Sequence, residues 1–184
     1  ALRSDLAILT MSGILDARPR VGYFYTGKNT LGMLQEELSS ITVEDIKSVP
    51  IVIGSDKSAY DAVLTMFLED VGTVFVVEPP DGLLYGVVSR KDLLKAALNA
   101  GSDLSHMPIA MVMTPLSKMI CADPEEPAAQ AARRLMDHEI DCLPVVRKVE
   151  EDPKRLQLIG RVSKTNFTRL LVELAEGKGG NYHS

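Results

Sequence analysis

The sequence predicts an α+β fold made of two tandem copies of a strand–helix–strand–strand–helix unit, set behind a smaller helix-and-ribbon segment. Three observations carry this. Sliding the chain against itself by 69 positions lays Ile51 on Ile120 and Val74-Phe75-Val76-Val77 on Leu143-Pro144-Val145-Val146. At the same offset, Ala59, Ala62, Val63, Met66 and Phe67 fall on Ala128, Ala131, Ala132, Leu135 and Met136, and each set is an i, i+3, i+4, i+7, i+8 stripe. Further on, the offset widens to 74, where Gly86-Val87-Val88-Ser89 meets Gly160-Arg161-Val162-Ser163 and Asp92 meets Asn166. The five extra residues fit the polar turn around Glu150–Arg155, and a surface turn absorbs an insertion at little cost.

In chain order, residues 1–13 read as a helix with an apolar stripe of Leu2, Leu6, Leu9 and Ile14, ended near Gly13. Leu15–Tyr25 reads as a short ribbon with Asp16-Ala17-Arg18-Pro19-Arg20 at its tip and Val21–Tyr25 returning. Residues 1–28 cannot bury their own apolar face and read as part of something larger. Residues 29–40 form a polar connector. Thr42 and Asp45 have capping-box spacing and open a short helix over Thr42–Ser48. The first copy follows within residues 41–104, with its second and third strands joined by a turn at Asp81-Gly82. The second occupies residues 105–176, with a short helix expected over Pro108–Met113 and a turn at Asp152-Pro153; residues 177–184 read as a flexible tail.

Composition narrows the function. The chain has 184 residues and is 46% hydrophobic, enough for a core in each copy. No apolar run approaches the roughly 18 residues of a membrane span, and the N-terminus lacks the pattern of a signal peptide. Cys121 and Cys142 lie in apolar stretches, consistent with buried free thiols in a reducing, cytoplasmic setting. Three scattered histidines and no metal-ligand spacing argue against a metal site. No nucleophile elbow, Walker loop or Cys–His pair appears, so no enzyme is expected. The net charge of −5 is uneven: residues 1–28 carry +2 and the rest −7.

The chemistry concentrates at Gly86–Leu94, a strand running into a helix. Ser89 and Asp92 have capping-box spacing, and such a corner also presents free backbone N–H groups to anions. A carboxylate there can accept from both hydroxyls of a ribose. The second copy carries Asn166 in that place, with one acceptor oxygen and no charge, so the corner at Asp92 is expected to be the better site.

The repeat, its strand order, Leu143-Pro144-Val145-Val146 and Gly86-Val-Val-Ser-Arg-Lys-Asp-Leu together resemble the cystathionine-β-synthase (CBS) domain pair, or Bateman module. The helix and ribbon ahead of it, with Arg20-Val21-Gly22-Tyr23-Phe24-Tyr25-Thr26-Gly27, resemble the end of a winged helix-turn-helix, and the combination resembles the CcpN-type winged-helix repressors. The resemblance implies a fold of tandem β-α-β-β-α CBS motifs preceded by a partial winged-helix remnant. It implies a regulatory ligand of the adenine-nucleotide class (AMP, ADP or ATP). Ser89 and Asp92, and more weakly Ser163 and Asn166, would hold ribose and phosphate. Val49, Pro50 and Phe75, with Val74, would line the adenine in the first copy; Thr114, Pro115 and Pro144, with Leu143, would be their counterparts in the second. Arg90, Lys91 and Arg161 would meet the phosphates, while Arg133 and Arg134 read as a solvated helix face. Arg3, Ser4, Arg18 and Arg20 would face operator DNA in the full-length protein. A homodimer through the CBS helices is implied. The alternative implied function is a CBS module regulating an enzyme or transporter through another ribose-containing ligand.

Overall fold

The computed structural model describes residues 2–25, 38–99, 101, 103–150, 152 and 155–176. The expected tail at 177–184 and the connector residues 29–37 lie outside them, as does the Arg3 side chain. The chain divides into two compact units, residues 1–41 and 42–184.

In the first unit, helix α1 (Leu2–Met11) is followed by strands β1 (Leu15–Arg18) and β2 (Gly22–Tyr25). Gly13 takes a positive φ of 72°, the conformation that ends a helix without a Cβ clash. The two strands pair antiparallel, from Leu15 opposite Tyr25 to Arg18 opposite Gly22. The tip is tighter than the sequence suggested. Asp16 to Arg18 belong to the strand, and the turn closes at Pro19 to Val21, with Arg20 at φ 69° and the Val21 amide donating to the Arg18 carbonyl at 3.1 Å. The Arg18 guanidinium lies 5.0 Å from the centre of the Phe24 ring.

The second unit opens with α2 (Val43–Ile46), one turn shorter than expected because Lys47 returns to extended backbone. The first copy continues as β3 (Val52–Gly54), α3 (Ala59–Leu68), β4 (Thr73–Glu78), β5 (Leu83–Ser89) and α4 (Arg90–Ala97). A 3₁₀ turn at Ile109–Met111, rather than a full helix, precedes the two-residue strand β6 (Thr114–Pro115). The second copy then runs through α5 (Ala128–Asp137), β7 (Cys142–Lys148), β8 (Leu156–Ser163) and α6 (Lys164–Ala175).

The strands lie in the order β3-β4-β5-β8-β7, with β6 also on β5. β3 and β4 are parallel; β4 with β5 and β7 with β8 are antiparallel. In the second copy a single parallel bridge, Ala122 to Val145, stands where β3 stands in the first. The copies also exchange their leading residues. β6, ahead of the second copy, pairs with β5 of the first, and Ser48, ahead of the first copy, pairs with Arg161 in β8 of the second.

Alternation along β4 builds two cores at once. Val74 and Val76 point into the first copy, against Ala59, Ala62, Met66 and Val88. Phe75 points the other way and packs with Leu84 and Val146 in a seam between the copies. Arg134 is not the solvated residue the helix pattern suggests: it donates to the Cys121 carbonyl at 2.6 Å and pairs with Glu126, while Arg133 is exposed. Among the described residues, no helix is long and apolar enough to cross a membrane, and no cluster of metal-ligating side chains occurs.

Candidate functional site

Ser89 is the last residue of β5 and the cap of α4. Its extended backbone takes the first helical amides out of the helix's own ladder: the Arg90 amide donates to the Gly72 carbonyl at 3.1 Å, and the Ser89 hydroxyl accepts from the Asp92 amide at 3.3 Å. Asp92 closes the box in return: its Oδ2 accepts from the Ser89 amide at 2.8 Å and from the Ser89 hydroxyl at 2.5 Å. Among the described residues, Oδ1 of Asp92 accepts no hydrogen bond. The half-buried carboxylate lines a cavity of about 370 Å³ together with Lys95, Asn99, Met113, Thr114 and Pro115. Gly86 permits this closeness, because a Cβ there would sit 2.6 Å from Met113 Sδ and 2.8 Å from the Thr114 carbonyl oxygen.

The second corner has the same frame and a different end. Ser163 caps α6, and Asn166 Oδ1 accepts from the Ser163 amide at 2.9 Å and its hydroxyl at 2.7 Å. The amide nitrogen of Asn166 donates to the Ile46 carbonyl at 2.7 Å and approaches the Ser48 hydroxyl at 3.4 Å. Asn166 is 7% exposed, the one buried polar side chain among the described residues.

Between the corners lies a cleft of about 720 Å³. Arg90, Lys91, Arg161 and Arg169 line it, with Ser48, Ser89 and Ser163 supplying hydroxyls and Asp70 and Asp141 supplying negative charge. Asp141 is engaged by Lys164 at 2.7 Å, and this bond, with Lys91 nearby, holds its carboxyl below the usual range. Arg161 is fixed through its backbone, which exchanges two 2.9 Å hydrogen bonds with Ser48. Its Nε is buried and has no hydrogen-bond partner among the described residues, so the guanidinium retains an unused donor beside the cleft. Burial pushes the neighbouring Cys142 thiol up to about 12, with Arg161 opposing the shift.

The residues expected at a nucleotide site are thus divided. Asp92, Thr114 and Pro115 share the smaller cavity. Ser89, Arg90, Lys91, Arg161, Ser163 and Asn166 share the cleft. Phe75 and Pro144 are buried, Phe75 in the seam and Pro144 in β7 opposite Arg161. Val49 is 79% exposed, Pro50 is half-buried, and neither lines either cavity. The pairing also moves the equivalence of the copies by one residue: Ser48 meets Arg161 as Thr114 meets Val87, so Ser48, not Val49, corresponds to Thr114. Lys95 and Asn99 also line the smaller cavity and are new to the site: Lys95 stands one turn beyond Asp92 on α4, and Asn99 lies two residues past the end of that helix. Met113 and Ser48 carried no local signal; only strand pairing between the copies brings them in. Ser4, Arg18 and Arg20 are exposed on α1 and the ribbon.

The CBS domain model matches residues 43–99 and 109–173, the two copies described above. The chain is 48% identical to the transcriptional repressor CcpN of Bacillus subtilis (strain 168) over 177 residues, 96% of this chain and 81% of that protein. Among solved structures, AcuB of Vibrio cholerae superposes with a TM-score of 0.63 at 27% identity, covering 75% of this chain and 95% of the other. The CBS domain pair of protein MJ0100, solved with 5-methylthioadenosine and S-adenosyl-L-methionine, superposes with a TM-score of 0.58 at 26% identity, covering 71% and 99%. The match to a repressor places the chain with regulators rather than enzymes. It is a tandem CBS domain pair, and the chain belongs to the CcpN-type family of CBS-containing transcriptional repressors.

Proposed function

We propose that the chain is the adenine-nucleotide-sensing module of a cytoplasmic repressor, and that a nucleotide in its CBS pair modulates operator binding by the full-length protein. The observation that carries this reading is Asp92: one carboxylate oxygen is consumed by the helix cap, and the other has no hydrogen-bond partner among the described residues, while the carboxylate borders a cavity. A vicinal diol suits that carboxylate, since charge-assisted O–H···O⁻ bonds are the strong kind. The adenine lies along Met113 to Pro115, with Lys95 and Lys118 at the cavity wall. The phosphates extend toward the cations of the cleft, Arg90 and Lys91 at the start of α4 and Arg161 across it. The adenosine ligands of the MJ0100 domain pair support the ligand class.

The output side rests on α1 and the ribbon, whose exposed Ser4, Arg18 and Arg20, with Arg3 at the helix start, suit a recognition helix and a basic wing. Dimerisation through the CBS helices presents two such units to a twofold operator.

Calorimetry with AMP, ADP and ATP on the parent chain and on Asp92→Ala tests the site. Loss of the charge-assisted diol contacts weakens binding by about 10- to 100-fold, from a typical cost of about 1.5–3 kcal/mol for a hydrogen bond to a charged group. Equal affinity in the variant removes Asp92 from the site. An operator affinity of the full-length protein that does not respond to saturating ADP or ATP removes the coupling.

A further inference from the structure

The two corners of the CBS pair share a frame but not a free valence. Asn166 has four hydrogen-bonding positions, two lone pairs on its oxygen and two amide hydrogens. The oxygen receives the Ser163 amide and hydroxyl; the nitrogen is directed at the Ile46 carbonyl and the Ser48 hydroxyl. Nothing is left for a ribose, and the side chain is buried beneath the segment it binds. That segment is held from both sides. Ser48 exchanges backbone hydrogen bonds with Arg161, and Lys47 covers Gly160 so closely that a Cβ there would fall 2.7 Å from Lys47 Cδ.

The same segment in the other copy is Val112 to Thr114, because Met113 covers Gly86 as Lys47 covers Gly160. There the corner residue is a carboxylate. A backbone carbonyl is an acceptor only, so Asp92 cannot bond to it as Asn166 bonds to Ile46. A single exchange of oxygen for amide nitrogen therefore separates an open corner from a latched one.

We propose that Asn166 is a latch: it closes the second corner by tying α6 to Ile46–Ser48, and so limits the module to one adenine nucleotide per chain. This rests on the nucleotide reading of the Asp92 corner given above. The latched segment is the last residue of α2 and the two that follow it, and it contributes Ser48 to the cleft wall, so its seating sets the shape of that wall at Arg161.

Calorimetry of the whole chain with ADP is expected to give one mole per mole of chain. Two moles overturn the latch and leave the nucleotide reading standing; none overturns the nucleotide reading itself. Asn166→Asp sets two acceptors against each other at Ile46, loosens the segment and supplies the missing carboxylate. It is expected to raise the stoichiometry to two, and to one in the Asp92→Ala background where the parent corner is lost. A folded Asn166→Asp chain that still binds one mole contradicts the assignment to Asn166. Should that variant fail to fold, Asn166→Ala keeps the idea falsifiable through hydrogen exchange. Loss of the tie is expected to speed exchange of the Ser48 and Arg161 amides about tenfold, while amides of β4 are unchanged. Unchanged exchange at Ser48 and Arg161 sinks the proposal.

Discussion

At Ser89 and Asp92, one set of atoms starts a helix and leaves a carboxylate oxygen over, which is how a structural cap can also be a ligand corner. Cys142 shows the opposite case, a reactive group made inert by its surroundings. It lines the cleft beside Arg161, yet burial raises its thiol from 9.0 to about 12, more than the nearby guanidinium lowers it, and Asp141 adds to the rise. A thiol needs its anion to react, so at pH 8 the folded chain keeps Cys142 unalkylated by iodoacetamide while urea exposes it. The folded state holds the proton more tightly than the unfolded one, so the contribution is complete below about pH 9 and is lost as pH rises toward about 12. Urea titrations of the parent and of Cys142→Ala check this: the parent should lose stability more steeply over that window. Parallel slopes, or ready alkylation of the folded protein, would show that the thiol is not protected.

Among the elements, β6 and the Lys47–Ser48 segment do most to shape the site, and they are the ones the sequence describes least well. Helices α3 and α5 are legible because a five-position apolar stripe repeats at a fixed offset, and β4, β5, β7 and β8 because apolar runs and the Gly-x-Val-Ser motif recur in both copies. The corner residues were legible for the same reason. A two-residue strand has no period, however, and a pairing between residues as far apart as Ser48 and Arg161 leaves no trace in local composition. The resemblance sets Phe75 among the apolar residues that would line the adenine. Strand alternation turns it into the seam instead. The two glycines of the repeat show how these segments differ in mechanical terms. In Gly86→Ala the new methyl meets the Thr114 backbone oxygen, which can yield only by moving β6; in Gly160→Ala it meets the flexible stem of Lys47. Gly86→Ala should therefore cost about 1–3 kcal/mol, the range for overpacking, and weaken nucleotide binding, while Gly160→Ala should stay within about 1 kcal/mol. Chemical denaturation of both variants, with ADP calorimetry, decides the matter. Equal costs would mean that β6 yields as readily as a lysine stem.

For the whole molecule, the apolar surface left on the CBS helices bears on assembly. Phe67 and Leu68 on α3, Leu94 on α4, Met136 on α5, and Leu171 and Val172 on α6 are all exposed, Phe67 by 82%. Scattered single apolar residues are ordinary, but here α3, α4, α5 and α6 all contribute, and α3 and α4 flank an apolar groove of about 540 Å³ that contains Phe67 and Leu94. The internal cores do not need these side chains: the stripe positions Ala59, Ala62, Met66, Ala128, Ala131 and Leu135 already fill them. The helices thus carry a second apolar set beyond the one that folds the chain, which is the expected signature of a homodimer built through them. Dimerisation would also explain how a single latched corner per chain could serve a symmetric operator, since two chains supply two open corners related by a twofold axis. Sedimentation at micromolar concentration should show a dimer, and Phe67→Glu, which places a charge where the helices would meet, should shift it to monomer with an unchanged circular dichroism spectrum. A Phe67→Glu chain that remains dimeric would place the interface elsewhere, and a parent chain that sediments as a monomer would leave the second apolar set without this role.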